Sequence, residues 1–206
     1  MLTFLETYGR NYKYSQNREE GLMEEVVRRL GIESGRAVEI GGSDGQFCSN
    51  TALLAEAGWQ VLFVETDYKL YQRCCENWCG WDNVRSQCCH VDDRNINAFV
   101  NDDTDCLSID LDGQDFNVFQ GMKARPKIVI VEIDSSVEPP SERVNADGGV
   151  GYWTMTTLAL ESGYFVLAHT GNLVLVHQHY QHLFPECTPH PLIEWELYFN
   201  RAWLND

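Results

Sequence analysis

Apolar residues along this chain switch between helical and strand spacing. In "REEGLMEEVVRRL" (18–30), Leu22, Val26, Val27 and Leu30 form one helical stripe that stops before Gly31. "RAVEI" (36–40) reads as a short strand. Residues 46–57 read as a helix with Phe47, Leu53, Leu54 and Ala57 apolar and Gly58 as its stop. "WQVLFVE" (59–65) is a second strand, and 68–79 a further helix. A short strand is expected near 87–91, a helical turn at "NINAFV" (95–100), a buried strand at "DCLSID" (105–110) and a helix at 114–122. The unbroken apolar run "KIVIVEI" (127–133) suits the middle of a parallel sheet. Beyond a loop at 135–151 come a helix (152–162) and the strands "GYFVLAH" and "NLVLVHQ". Their Thr170-Gly171 joint is short enough to make them antiparallel.

Strands alternating with helices at this spacing predict an α/β fold: a Rossmann-like three-layer architecture, with a mostly parallel sheet and a C-terminal antiparallel hairpin strand. A length of 206 residues suits one domain. Within it, 1–35 is expected as an N-terminal helical cap, 36–180 as the core and 181–206 as an aromatic tail that covers a sheet edge or a homodimer face. Residues 135–151, broken by Pro139, Pro140 and several glycines, have the length of a lid or binding segment.

Hydrophobic content of 44% and aromatic content of 12% suit a folded chain. Thirty-one acidic against fifteen basic residues give a net charge of −16. That argues against nucleic acid as a partner, whose phosphates need clustered Lys and Arg, and leaves a small-molecule ligand open. The first twenty residues lack the basic and apolar regions of a signal peptide, and "IVIV" (128–131) is far shorter than a membrane span. A cytoplasmic location without membrane contact is therefore expected. The eight cysteines lack paired C-x-x-C spacing, so buried free thiols are expected rather than zinc ligands.

The candidate chemistry begins at "AVEIGGSDGQFCSNTALL" (37–54), a strand running into glycines and then a helix. In an open parallel sheet, ligands sit beyond the carboxyl ends of the strands, near the point where strand order reverses. The corner lacks the G-x-G-x-x-G of a dinucleotide site, because Ser43 or Asp44 stands where the second glycine belongs, and Asp44 would repel a pyrophosphate. Gly41-Gly42-Ser43-Asp44-Gly45 does match the G-x-S-x-G of a serine hydrolase, but that elbow normally follows several strands, and here one helix precedes it. A nucleoside ligand without a pyrophosphate fits better. Glu39 ends the first strand, Gly41, Gly42, Asp44 and Gly45 shape the turn, and Glu65 ends the next strand 20 residues after Gly45, placed to accept ribose hydroxyls. Backbone N–H groups near 46 are expected to hold an amino-acid carboxylate. Ribose, amino-acid tail, adenine and no phosphate together describe S-adenosylmethionine.

"VEIGGSDGQFCSNTALLAEAGWQVLFVETD" resembles the cofactor-binding half of the FkbM-like class I methyltransferases, with their acid-x-Gly turn, Asn-Thr on the first helix (Asn50-Thr51) and acid ending strand two. "LSIDLDGQDFNVFQ", "PKIVIVEID" and "ESGYFVLAHTGNLVLVH" resemble that group's later strands and closing hairpin; the resemblance runs from about 15 to 180. It implies S-adenosylmethionine-dependent methyl transfer to a hydroxyl of a sugar or small metabolite. By the same resemblance Asp92 or Asp93 contacts the adenine amine. The 135–150 loop and the tail depart from the family.

Asp110 and Asp112, with Asp115 beyond them and Glu132 and Asp134 one strand over, fall at the carboxyl edge where an acceptor would lie. Asp110 and Asp112 are the catalytic candidates, as a base for the acceptor's proton. Asp110, Asp112 and Glu132 are also the candidate ligands for one Mg²⁺; the spacing is not an EF-hand, since position twelve is Gly121. A binding protein that keeps the pocket without turnover is the alternative from another class.

Overall fold

The computed structural model describes residues 4–137, 144 and 148–187. Seven strands form one sheet: β1 (Arg36–Ile40), β2 (Gln60–Glu65), β3 (Val84–Cys88), β4 (Cys106–Ile109), β5 (Ile128–Glu132), β6 (Tyr164–His169) and β7 (Asn172–His177). Their order is β3-β2-β1-β4-β5-β7-β6. All pairs from β3 to β5 are parallel, while β7 runs antiparallel between β5 and β6. The expected Rossmann-like α/β architecture with its closing hairpin is present.

Strand alternation divides the interior into two cores. Ala37, Phe63, Cys106, Ile130 and Val174 point to one face, where they meet helices α1 (Phe4–Tyr8), α2 (Glu19–Leu30), α3 (Ala52–Glu56) and α4 (Tyr68–Asn77). Val38, Ile40, Leu107, Ile109 and Val131 point to the other, under α5 (Asp115–Gly121) and α6 (Tyr152–Glu161). These are the three layers.

The apolar stripe of α2 is buried through Leu22, Met23 and Val26, and the helix ends at Gly31, whose left-handed φ of 67° lets its N–H reach the last carbonyls. Its first turn does more than the stripe implied. Glu20 accepts the backbone N–H groups of Tyr12, Lys13 and Tyr14, and Glu19 accepts from Thr170 Oγ1 at 2.6 Å and Asn172 Nδ2 at 3.2 Å. Two buried acids thus tie the N-terminal segment to the β6–β7 hairpin.

Two expected elements differ, and the helical turn expected at 95–100 is present. The helix expected from 46 begins only at Ala52, because Glu39 draws Ser49, Asn50 and Thr51 inward and Cys48 turns to a φ of 56°. The strand expected at 87–91 lies at Val84–Cys88, set by register with Val61–Glu65 rather than by its own polar sequence. "NINAFV" forms a single 3-10 turn, Ile96–Ala98. Of the long loop, residues 135–137, 144 and 148–150 fold back on the sheet: Val144 bridges Val150, and Asp134 N–H donates to Val150 O at 2.9 Å. The rest of the loop, and the tail beyond Cys187, lie outside the described residues.

Candidate active site

Strand order reverses between β1 and β4, and a cleft of about 600 Å³ opens there at the carboxyl ends of β1, β2 and β4. Gly41, Gly42, Ser43, Glu65, Asp110, Asp112 and Glu132 line it. Gly41 has a φ of 79°, and a Cβ there would stand 1.7 Å from the Asp110 carbonyl oxygen. This glycine lets the β1 and β4 exits touch. Its N–H and that of Gly42 both donate to Val64 O, fastening the turn to β2.

Glu39 stands inside this corner. Its buried carboxylate accepts from Ser49 Oγ (2.7 Å), Asn50 N (2.9 Å), Thr51 N (3.1 Å) and Thr51 Oγ1. Burial pushes its carboxyl above the usual range, against the pull of those donors. Glu39, expected as a cofactor ligand, lines the cleft, and its oxygens also build the loop that the cleft rests on. Asn50 is likewise buried, donating to Ser108 Oγ at 3.0 Å. Asp44 Oδ1 accepts from Gln46 N (3.0 Å) and Phe47 N (2.7 Å), so the N–H groups expected to hold an amino-acid carboxylate are already satisfied. Gly45, with a φ of 74°, packs against Cys74 and Trp78 behind the cleft. Asp92 caps its own turn through Arg94 N and Asn95 N, and the wall is made by its predecessors Cys89, His90 and Val91.

Glu65 keeps the expected place. Ser43 N donates to one oxygen and Asp67 N to the other, each at 2.8 Å, which fixes the carboxylate at the rim. Ser43, the residue a hydrolase would need, has a φ of 49°, and among the described residues no hydrogen bond joins it to a histidine. Gln16, Phe47, Cys48, Leu70 and Gln114 also line the cleft. None had a readable signal, because each arrives from a loop or helix whose approach only the folded chain sets.

The acids of β4 and β5 converge as expected. Asp110, Asp112 and Glu132 offer carboxylate oxygens all within 4.8 Å of one another. Burial and the neighbouring Asp115 and Asp112 push Asp110 up to about 6; burial and Asp110 push Glu132 up to about 8. The two carboxyls are hydrogen-bonded, and their shared burial favours keeping a proton between them. Asp115 sits behind them, its carboxylate accepting Leu111 N (2.8 Å) and Gly113 N (3.0 Å), so it shapes the turn that presents Asp112 at a φ of 49°. Beside this cluster, Ser135 Oγ meets His169 at 3.1 Å in a buried pair of residues 34 positions apart in the chain. His177 and Tyr180 lie at the opposite edge of the sheet, near Lys127 and Asp105.

Solved structures share this fold. A SAM dependent methyltransferase from Aquifex aeolicus aligns over 74% of this chain and 87% of its own at 12% identity, with a TM-score of 0.50. The CurJ carbon methyltransferase aligns over 79% of this chain and 55% of its own at 12% identity and a TM-score of 0.54. Monomeric WbdD aligns over 78% of this chain and 41% of its own at 14% identity and a TM-score of 0.57. The fold is that of the class I methyltransferases. At these identities the likeness is one of fold, and the chain spans only about half of the latter two. No protein-family model matches the chain, and no curated protein does. No described helix is long and apolar enough to cross a membrane.

Proposed function

We propose that the protein is an S-adenosylmethionine-dependent methyltransferase that transfers a methyl group to a hydroxyl of a sugar or other small metabolite, as the FkbM-like resemblance implies. The observation that carries the reading is the cleft at the β1–β4 switch point: Glu65 is fixed at its rim, and its described lining includes no lysine or arginine. Such a lining disfavours a phosphate-bearing cofactor and suits a ribose diol and a cationic sulfonium.

In this reading Glu65 accepts the ribose hydroxyls, and Cys89–Val91 flank the adenine. The side-chain amides of Gln16 and Gln114 are neutral donors for the amino-acid end. The class I fold of the solved structures, among them one described as SAM dependent, supports the same cofactor. Methyl transfer to oxygen is an in-line displacement, so the protein supplies positioning and a base. Asp110, half-buried beside Glu132 and facing the cleft, takes the proton of the acceptor hydroxyl. A hard divalent cation such as Mg²⁺ fits the all-carboxylate donor set of Asp110, Asp112 and Glu132, and would lower the acceptor's pKa.

Titration calorimetry with S-adenosylmethionine tests the reading. Micromolar binding is expected, and Glu65→Ala should weaken it tenfold or more, about 1.4 kcal/mol. An intact protein that does not bind the cofactor removes the proposal.

A further inference from the structure

A second cavity, of about 240 Å³, adjoins the cleft and shares two walls with it, Asp112 and Glu132. Phe116, Ile133 and Val150 line it with apolar side chains, and Asp134 and Ser136 with polar ones. The roof is the returning loop, held down where Gly148 lies so close that an added Cβ would stand 2.6 Å from the Gly113 carbonyl oxygen. An acceptor placed here meets Asp112 and Glu132, which the cavity shares with the cleft, and Asp134, which lines the cavity but not the cleft.

Resting on the methyltransferase reading of the cleft, we propose that this cavity is the acceptor subsite and that it takes a polyhydroxy compound bearing a protonated amine: an amino sugar or amino alcohol. Four carboxylates, Asp112, Asp115, Glu132 and Asp134, line the cavity, its described lining has no lysine, arginine or histidine, and Phe116 adds an aromatic side chain. A phosphate or carboxylate on the acceptor would face these acids unpaired, whereas an ammonium group pairs with Asp134 and Asp112. Carboxylates also hold an amine in its protonated form, which has no lone pair to attack with. The nucleophile is therefore a hydroxyl. Its oxygen lone pair forms the new bond to the methyl carbon, the C–S bonding pair returns to sulfur to give a neutral thioether, and the hydroxyl proton passes to Asp110.

The test uses the protein saturated with S-adenosylhomocysteine, whose own binding is measured first and reports on the cofactor reading alone. Glucosamine, N-acetylglucosamine, glucose and glucose 6-phosphate are then titrated. Glucosamine is expected to bind at least tenfold more tightly than glucose, N-acetylation to remove the advantage, and the phosphate to bind least. Asp134→Asn keeps an Oδ1 acceptor for Ser136 N and Oγ, so it should leave S-adenosylhomocysteine affinity unchanged while removing the preference for glucosamine. If S-adenosylhomocysteine binds but a neutral or anionic probe equals glucosamine, or none of the four binds, the acceptor assignment is wrong. N-methylated rather than O-methylated glucosamine as product overturns it equally.

Discussion

Single residues decide whether this corner forms. Gly41 is the sharpest case, since any side chain there would overlap the Asp110 carbonyl and force an L-residue into left-handed backbone. Gly41→Ala should lower unfolding free energy by more than about 2 kcal/mol, read from urea titration, with β1 and β4 unable to close. A loss under half that value would show that the two strand exits can part without consequence. Glu39 illustrates why a residue type in the right place does not fix a role. A carboxylate near the end of β1 is suited to a ligand or to protein donors, and the inward turn of 49–51 supplies four donors to a carboxylate that also lines the cleft. Glu65 faced the same choice, but its two backbone donors leave it at the rim.

Among the elements, α2 shows how charge and packing combine. Arg28 and Arg29 both bind Glu25, at i+3 and i+4, and Arg29 reaches on to Glu186 at 2.7 Å and stacks near Phe4, Tyr8 and Phe184. The Arg28 guanidinium, with Arg29, holds the Glu25 carboxyl down to about 2. A depressed carboxylate stabilises the fold fully above its unfolded value of about 4.3 and loses that contribution as pH falls toward its folded value. Glu25→Gln should therefore lower Tm at pH 7, and the gap from the intact protein should close between about pH 4 and pH 2. A gap independent of pH would mean that packing, not the ion pairs, carries the effect. Element boundaries were less legible than element identity. β3 is polar and half-exposed, so its position follows from the pairing of β2, and α3 starts late because a buried acid competes for its first turn.

Over the whole molecule, burial predicts where the fold is strongest. β1, β4 and β5 are almost wholly buried between both cores, whereas β3 is an exposed edge. β6 is the other edge of the sheet, yet every residue of it is buried. Amide hydrogen exchange should be slowest in β1, β4 and β5, nearly as slow in β6, and fastest among the strands in β3. Equal exchange at the two edges would contradict that order.

The sequence by itself determined the class of this fold and the neighbourhood of its site. Strand and helix periods differ, so the alternation of elements could be read locally, and a parallel sheet places strand-end residues on one edge whatever the loops do. That places Gly41, Glu65, Asp110, Asp112 and Glu132 at one edge of the sheet. Tertiary structure alone decided which of them face the cleft. Asp44 and Asp92 turn to backbone donors of their own loops and Asn50 donates across to Ser108 Oγ, a competition among hydrogen bonds too close in energy for sequence to resolve. It also decided that Ser135 meets His169, that Glu19 reaches the far hairpin, and that a returning loop walls a second cavity against the acids. Those contacts join residues far apart in the chain, and only the packing of the sheet brings them within reach.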